Sequence, residues 1–117
     1  MSYASSMSRS VPESLRPALS EYARRLREIF GDRVAEVRLF GSFARGEANE
    51  DSDVDVLVLI NGLTDLEIGI AAGESALISV ATGLHLAPLP MRTERFADLR
   101  ENQRALARAI DAEGISL

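Results

Sequence analysis

The sequence has no cysteine, no lysine and no tryptophan, and its only histidine is His85. Without cysteine, a disulfide framework, a zinc–thiolate site and a cysteine nucleophile are all excluded. One histidine cannot build a multi-histidine metal site, and a serine–histidine–aspartate arrangement would have to pass through His85. No apolar run approaches the roughly eighteen residues of a membrane-spanning helix, so no membrane association is expected. Positive charge is also short: 13 basic residues, all arginine, against 18 acidic ones give a net charge of −5. That balance argues against an extensive sequence-independent grip on DNA or RNA. It leaves room for a small nucleotide, which needs only a local pocket.

What is present is an ordinary globular composition, with 46% hydrophobic and 26% charged residues. A chain of 117 residues makes one domain of usual size. It buries roughly two-thirds of its unfolded surface on folding. Residues 1–10 are serine-rich and lack the apolar segment of a secretory signal. They read as a disordered leader before a single domain over residues 11–117, in a cytoplasmic protein.

The first helix is signalled by capping-box spacing at Ser10 and Glu13 and by Pro17, which suits a first helical turn near Leu15. Leu15, Leu19, Tyr22, Leu26 and Ile29 recur at three- and four-residue steps and predict its core face. Gly31 ends it. Val34–Phe40 reads as a strand with Val37 and Leu39 on one face. Residues 41–52 read as a loop with room for one helical turn after Ser42. Val54–Ile60 is almost wholly apolar, as in a strand covered on both faces. Asp65–Thr82 reads as a helix with Leu66, Ile70, Gly73 and Leu77 along one side. Residues 84–89 read as an edge strand, since Pro88 and Pro90 forbid central pairing. A last helix over 93–112 carries Phe96, Leu99, Leu106 and Ile110, and Gly114 closes it. The order implies an α/β (α+β) domain, a small mixed β-sheet flanked by helices.

The chemistry concentrates between Phe40 and Leu59. Gly41-Ser42 directly follows one strand, and Asp53-x-Asp55 opens the next. Residues two apart in a strand share a face, so Asp53 and Asp55 set two carboxylates side by side. Such a pair repels itself unless a cation sits between its members. Two carboxylates plus substrate phosphates are the ligand set that suits Mg²⁺. Glycine lets the backbone come close to a phosphate, and the N–H groups and the Ser42 hydroxyl can donate to it. Arg45 lies three residues on and can neutralise the same oxygens. The whole is equipment for phosphoryl transfer by metal positioning. A lone Asp-x-Asp or a lone Gly-Ser is usually just a turn; their combination on neighbouring strands carries the reading.

Gly41-Ser42-Phe43-Ala44-Arg45-Gly46 followed by Ser52-Asp53-Val54-Asp55 resembles the signature of the minimal nucleotidyltransferases of the DNA polymerase β superfamily. The resemblance runs from the first helix to the end of the chain. It implies the polymerase β-like nucleotidyltransferase fold, with Gly41 and Ser42 holding a nucleoside triphosphate, ATP above all. By the same resemblance Asp53 and Asp55 ligate Mg²⁺ and are the catalytic residues, Arg45 steadies the loop or the triphosphate, and Ser52 orients the Asp53 turn. It further implies an antitoxin paired with an all-helical HEPN protein, onto which AMP is transferred.

The family's third carboxylate, on a later strand, has no counterpart among residues 84–89. His85 and Glu74 are the nearby groups that could act as a base in its place. Two alternatives therefore stand beside the enzyme reading. One is a nucleotide-binding module that neutralises a partner by occlusion. The other is a small-molecule nucleotidyltransferase of the antibiotic-modifying kind, for which a homo-oligomer would have to supply the substrate-binding surface. Arg24, Arg25 and Arg27, and likewise Arg100, Arg104 and Arg108, read as solvated helix faces. The last helix is the expected partner contact.

Overall fold

The computed structural model describes residues 11–49, 51–102 and 104–117. The leader and Ser10 of the expected capping box lie outside them. A single 3₁₀ turn, Glu13–Leu15, leads into helix α1, Arg16–Phe30. Pro17 sits in the first turn of α1, where a missing N–H costs no hydrogen bond. Leu15, Leu19, Tyr22 and Leu26 are buried as the spacing predicts. Ile29 instead points to solvent and Phe30 takes its place in the core.

Strand β1 spans Val34–Phe40, a one-turn helix α2 Ser42–Arg45, and strand β2 Val54–Ile60. Helix α3 follows over Asp65–Thr82 and strand β3 over Leu86–Arg92. The chain closes with α4 (Thr93–Asn102), α5 (Arg104–Glu113) and the two-residue strand β4 (Ile115–Ser116). The sheet is mixed, in the order β3-β2-β1-β4. β1 runs antiparallel to both β2 and β4, while β2 and β3 are parallel with α3 as their crossover. β3 begins two residues later than expected, yet it is the edge strand that Pro88 and Pro90 require.

Helices cover both faces of the sheet. α1 and α3 pack on Val37, Leu39, Val54, Val56, Val58 and Ile60. On the other face Leu57 and Leu59 meet Met91, Phe96, Leu99, Ala107 and Ile110. This is why β2 reads as an unbroken apolar run.

Leu66, Ile70 and Leu77 of α3 are exposed, and the helix packs through Ala71, Ser75 and Ile78. These smaller residues let α3 lie close to α1, where the buried Tyr22 hydroxyl donates to the Ala71 carbonyl at 2.8 Å. The helix is started by a capping box absent from the sequence reading. Glu67 N–H donates to Thr64 Oγ1 at 3.2 Å, and Thr64 N–H donates to Glu67 Oε1 at 3.0 Å.

The expected single last helix is two. The Arg100 guanidinium donates to Asp111 at 3.0 and 3.1 Å. Eleven residues of one straight helix would hold these groups about 16 Å apart along the axis, so α5 must fold back beside α4. The turn leaves Leu106 partly exposed and buries Ala107. No helix among the described residues is long and apolar enough to cross a membrane.

Candidate active site

Phe40, the last residue of β1, pairs in register with Asp55 of β2. The chain turns sharply at Gly41, with φ 78° and ψ −157°. A Cβ on Gly41 would collide with the Asp55 carboxylate and lie 3.0 Å from its Cγ. Only glycine satisfies both the positive φ and the close approach. The single turn α2 is closed by Arg45 N–H donating to Gly41 C=O at 3.1 Å, and Gly46 ends it in the left-handed region. The first N–H groups of any helix lack acceptors within it, so those after Gly41 are open to an anion.

Asp53 stands just ahead of β2 and Asp55 within it, near enough for the charge of one to act on the other. Asp53 is largely exposed and Asp55 half-buried. Burial pushes the Asp55 carboxyl above the usual carboxylate range; the Asp53 charge adds to the shift and Arg45 opposes it. The pair is thus short of positive charge, which a bound cation would supply. Its all-oxygen donors fit Mg²⁺, whose remaining positions go to water and phosphate. Among the described residues no three His, Cys, Asp or Glu side chains converge on one point. A metal at the pair would therefore depend on the substrate for part of its shell.

Arg45 and Ser52 make their contacts within the loop or with the end of the chain. Arg45 is held between two carboxylates, with Nε 3.0 Å from Glu47 and Nη1 3.4 Å from Glu113. Ser52 works within its own turn: its hydroxyl accepts from Asn49 N–H at 3.0 Å and its N–H donates to the Asn49 carbonyl at 3.1 Å. That turn delivers the chain to Asp53, while the Ser52 side chain lines a separate cavity with Leu15, Phe43 and Leu84. His85 Nδ1 lies 3.9 Å from Asp53 Oδ1, on a side chain that is 79% exposed. Val54 N–H donates to the His85 carbonyl at 2.8 Å and pins this residue beside the pair. Glu74 is not part of the site, since it is taken up by Arg25 of α1 at 2.9 Å.

Two features of the site were not foreseen. Glu113 reaches Arg45 from the far end of the chain, and no local pattern marks it. The pocket holding Asp53 and His85 is walled by Ala76, Ser79 and Val80 of α3. A helix start at Thr64 fixes which residues face that way, so the capping box was the available signal.

A carboxylate pair at the head of a central strand, beside a glycine turn, on a mixed sheet covered by helices, is the architecture of a nucleotidyl-transferring domain. Residues 19–110 match the family described as nucleotidyltransferase domain, and the chain belongs to that family. Within it the chain falls with the minimal nucleotidyltransferases. A solved structure provisionally assigned as one superposes with a TM-score of 0.63 at 28% identity, covering 90% of this chain and 94% of that one. Protein adenylyltransferase MntA of Thermococcus cleftensis is 52% identical over 46 residues, 39% of this chain and 44% of that protein. The match thus spans less than half the length of that relative. A toxin–antitoxin crystal structure with AMP-PNP shares the fold, with a TM-score of 0.54 and 22% identity over 81% of this chain and 68% of that one.

Proposed function

We propose that the domain transfers AMP from ATP, with Mg²⁺, to a hydroxyl of a partner protein, and that the partner is a helical HEPN-type toxin. The observation that carries the reading is the contact between Gly41 and Asp55. A glycine backbone packed against one member of a charge-deficient carboxylate pair sets a phosphate-binding turn beside a cation-binding one. The likeness to a protein adenylyltransferase supports a protein acceptor. The likeness in fold to a toxin–antitoxin assembly is consistent with such a partner.

In this reading Asp53 and Asp55 hold the metal, and the Gly41–Ser42 backbone donates to the triphosphate. Mg²⁺, when bound, neutralises phosphate charge and steadies the leaving pyrophosphate. The acceptor oxygen bonds to the α-phosphorus, the bond to the β-phosphate oxygen breaks, and pyrophosphate departs. The acceptor proton leaves to water at the exposed rim by Asp53. Arg45 is freed from Glu47 and Glu113 to meet the triphosphate, a more highly charged partner than either carboxylate.

A second reading, a nucleotide-binding module that neutralises its partner by occlusion, is favoured by the finding that among the described residues no third carboxylate converges on the pair. Calorimetry with Mg²⁺–ATP, followed by labelled-nucleotide transfer to the purified partner, separates the two. Binding with transfer supports the enzyme; binding with neutralisation but no transfer supports occlusion. Absence of binding even with the partner present defeats the nucleotide site altogether.

A further inference from the structure

Helix α3 carries an apolar strip that no described part of the chain covers. Leu66 is 78% exposed, Ile70 39%, Leu77 59% and Val80 87%. Gly69, Gly73 and Ala76 lie exposed between them. A Cβ added at Gly69 or Gly73 would meet nothing within 4 Å, so packing inside the chain does not demand glycine there. They are notches in an outward face. The helix keeps its charges off this strip, with Glu67 tied to Arg33 at 2.7 Å and Glu74 to Arg25 at 2.9 Å. Contiguous exposed apolar surface of this kind marks association.

The strip is complementary to itself when reversed. An antiparallel copy centred on Gly73 sets Leu66 against Val80, Gly69 against Leu77, Ile70 against Ala76, and Gly73 against itself. Inside the two ends, every large side chain meets a small one, as interdigitating helices require. The acidic residues Asp65, Glu67 and Glu74 fall opposite Ala81, Ser79 and Ala72, so no like charges meet. The two helix dipoles then lie in opposite directions. A foreign surface would require no such complementarity between the two halves of one helix.

We propose that α3 is a homodimer interface, pairing antiparallel with α3 of a second copy about a two-fold axis at Gly73. An isologous contact of this kind uses one self-complementary patch twice. It also borders the candidate site, because Ala76, Ser79 and Val80 wall the pocket that holds Asp53 and His85. In the dimer, Leu66 of the partner subunit covers Val80 and narrows the mouth of that pocket.

The absence of cysteine makes the test clean. Gly73→Cys, oxidised in the full-length protein, should form a disulfide-linked dimer, since position 73 faces itself across the axis. Leu66→Cys and Val80→Cys should cross-link to each other when mixed and much less when oxidised alone. Glu28→Cys, exposed on α1, supplies the collisional background. In sedimentation equilibrium up to about 100 μM, a range suited to an interface at the small end, the wild type should dimerise. Leu77→Glu should weaken that association at least ten-fold while its circular dichroism, and its melting at dilutions where both proteins are monomeric, stay unchanged. A wild type monomeric throughout that range, whatever other helical protein it binds, overturns the proposal. So does cross-linking at position 73 no better than at position 28, or a dimer indifferent to Leu77→Glu. None of these readouts depends on nucleotide binding or transfer.

Discussion

Ala87 of β3 stands in register beside Asp55 of β2, on the same face of two parallel strands. The position adjoining the carboxylate pair is thus filled by a methyl group where, in the proposed reaction, a carboxylate could assist the attacking hydroxyl. Proton abstraction by a positioned base typically contributes about 10²–10⁴-fold. Ala87→Asp should accordingly raise the rate of labelled-AMP transfer to the partner by ten-fold or more. In the absence of metal it should lower the melting temperature, because a third negative charge joins two that already repel.

Asp53→Asn and Asp55→Asn keep shape and remove one charge each. Either should weaken Mg²⁺-dependent ATP binding and transfer by about 10²-fold or more, the scale of losing one preorganised electrostatic contact. Titration calorimetry with and without Mg²⁺ gives the check. Metal-free stability should rise most for Asp55→Asn, whose charge burial and Asp53 both disfavour.

Gly41→Ala should lose Mg²⁺–ATP binding in a folded protein. The left-handed backbone costs about 1–3 kcal/mol for a residue with a side chain. The new methyl also collides with the Asp55 carboxylate. Gly46→Ala is the control, since Gly46 has φ 75° with nothing near its missing Cβ. It should share the loss of stability, read by urea denaturation, and keep the binding.

Tyr22→Phe should destabilise the domain by about 1 kcal/mol, the usual worth of one buried hydrogen bond. The Tyr22 hydroxyl bridges α1 to the Ala71 carbonyl of α3. The urea midpoint should fall with the slope unchanged.

Acid should weaken the fold through α1 and α3. Hydrogen bonds from Arg33, then from the Thr64 backbone, draw Glu67 down to about 2, and Arg24 and Arg25 do the same for Glu21. Both folded values lie below the ordinary 4.5, so their contribution is present in full above that pH. It is lost as the pH falls from there towards 2. Arg33→Met should flatten this acid limb in denaturant titrations taken at stepped pH. The effect will be modest, because both carboxylates are solvated.

Much of the fold was legible because its signals are local. Proline and glycine punctuate α1, the alternation in Val34–Phe40 marks β1, and the apolar run of Val54–Ile60 marks a strand with helices on both faces. The side of α3 that packs was not legible, because hydrophobicity alone picks out Leu66, Ile70 and Leu77. Close helix packing instead selected Ala71 and Ser75 for the inside. β4 pairs only Ile115 and Ser116 with β1, too few residues for any periodicity. The break between α4 and α5 shows itself through Arg100 and Asp111, which no residue-by-residue pattern brings together.

For the candidate site the division is similar. Composition and spacing alone determined that chemistry here is cysteine-free and singled out Gly41, Ser42, Asp53 and Asp55 as its candidates, because side-chain type and spacing are properties of the chain itself. Only the tertiary structure decided that Gly41 touches Asp55, that Arg45 is held by Glu113, that Ala87 occupies the place beside the pair, and that Ser52 serves its own turn. Each of these depends on strand register or on elements distant in sequence meeting in space. That is settled by burial over the whole sheet and by no stretch of residues alone.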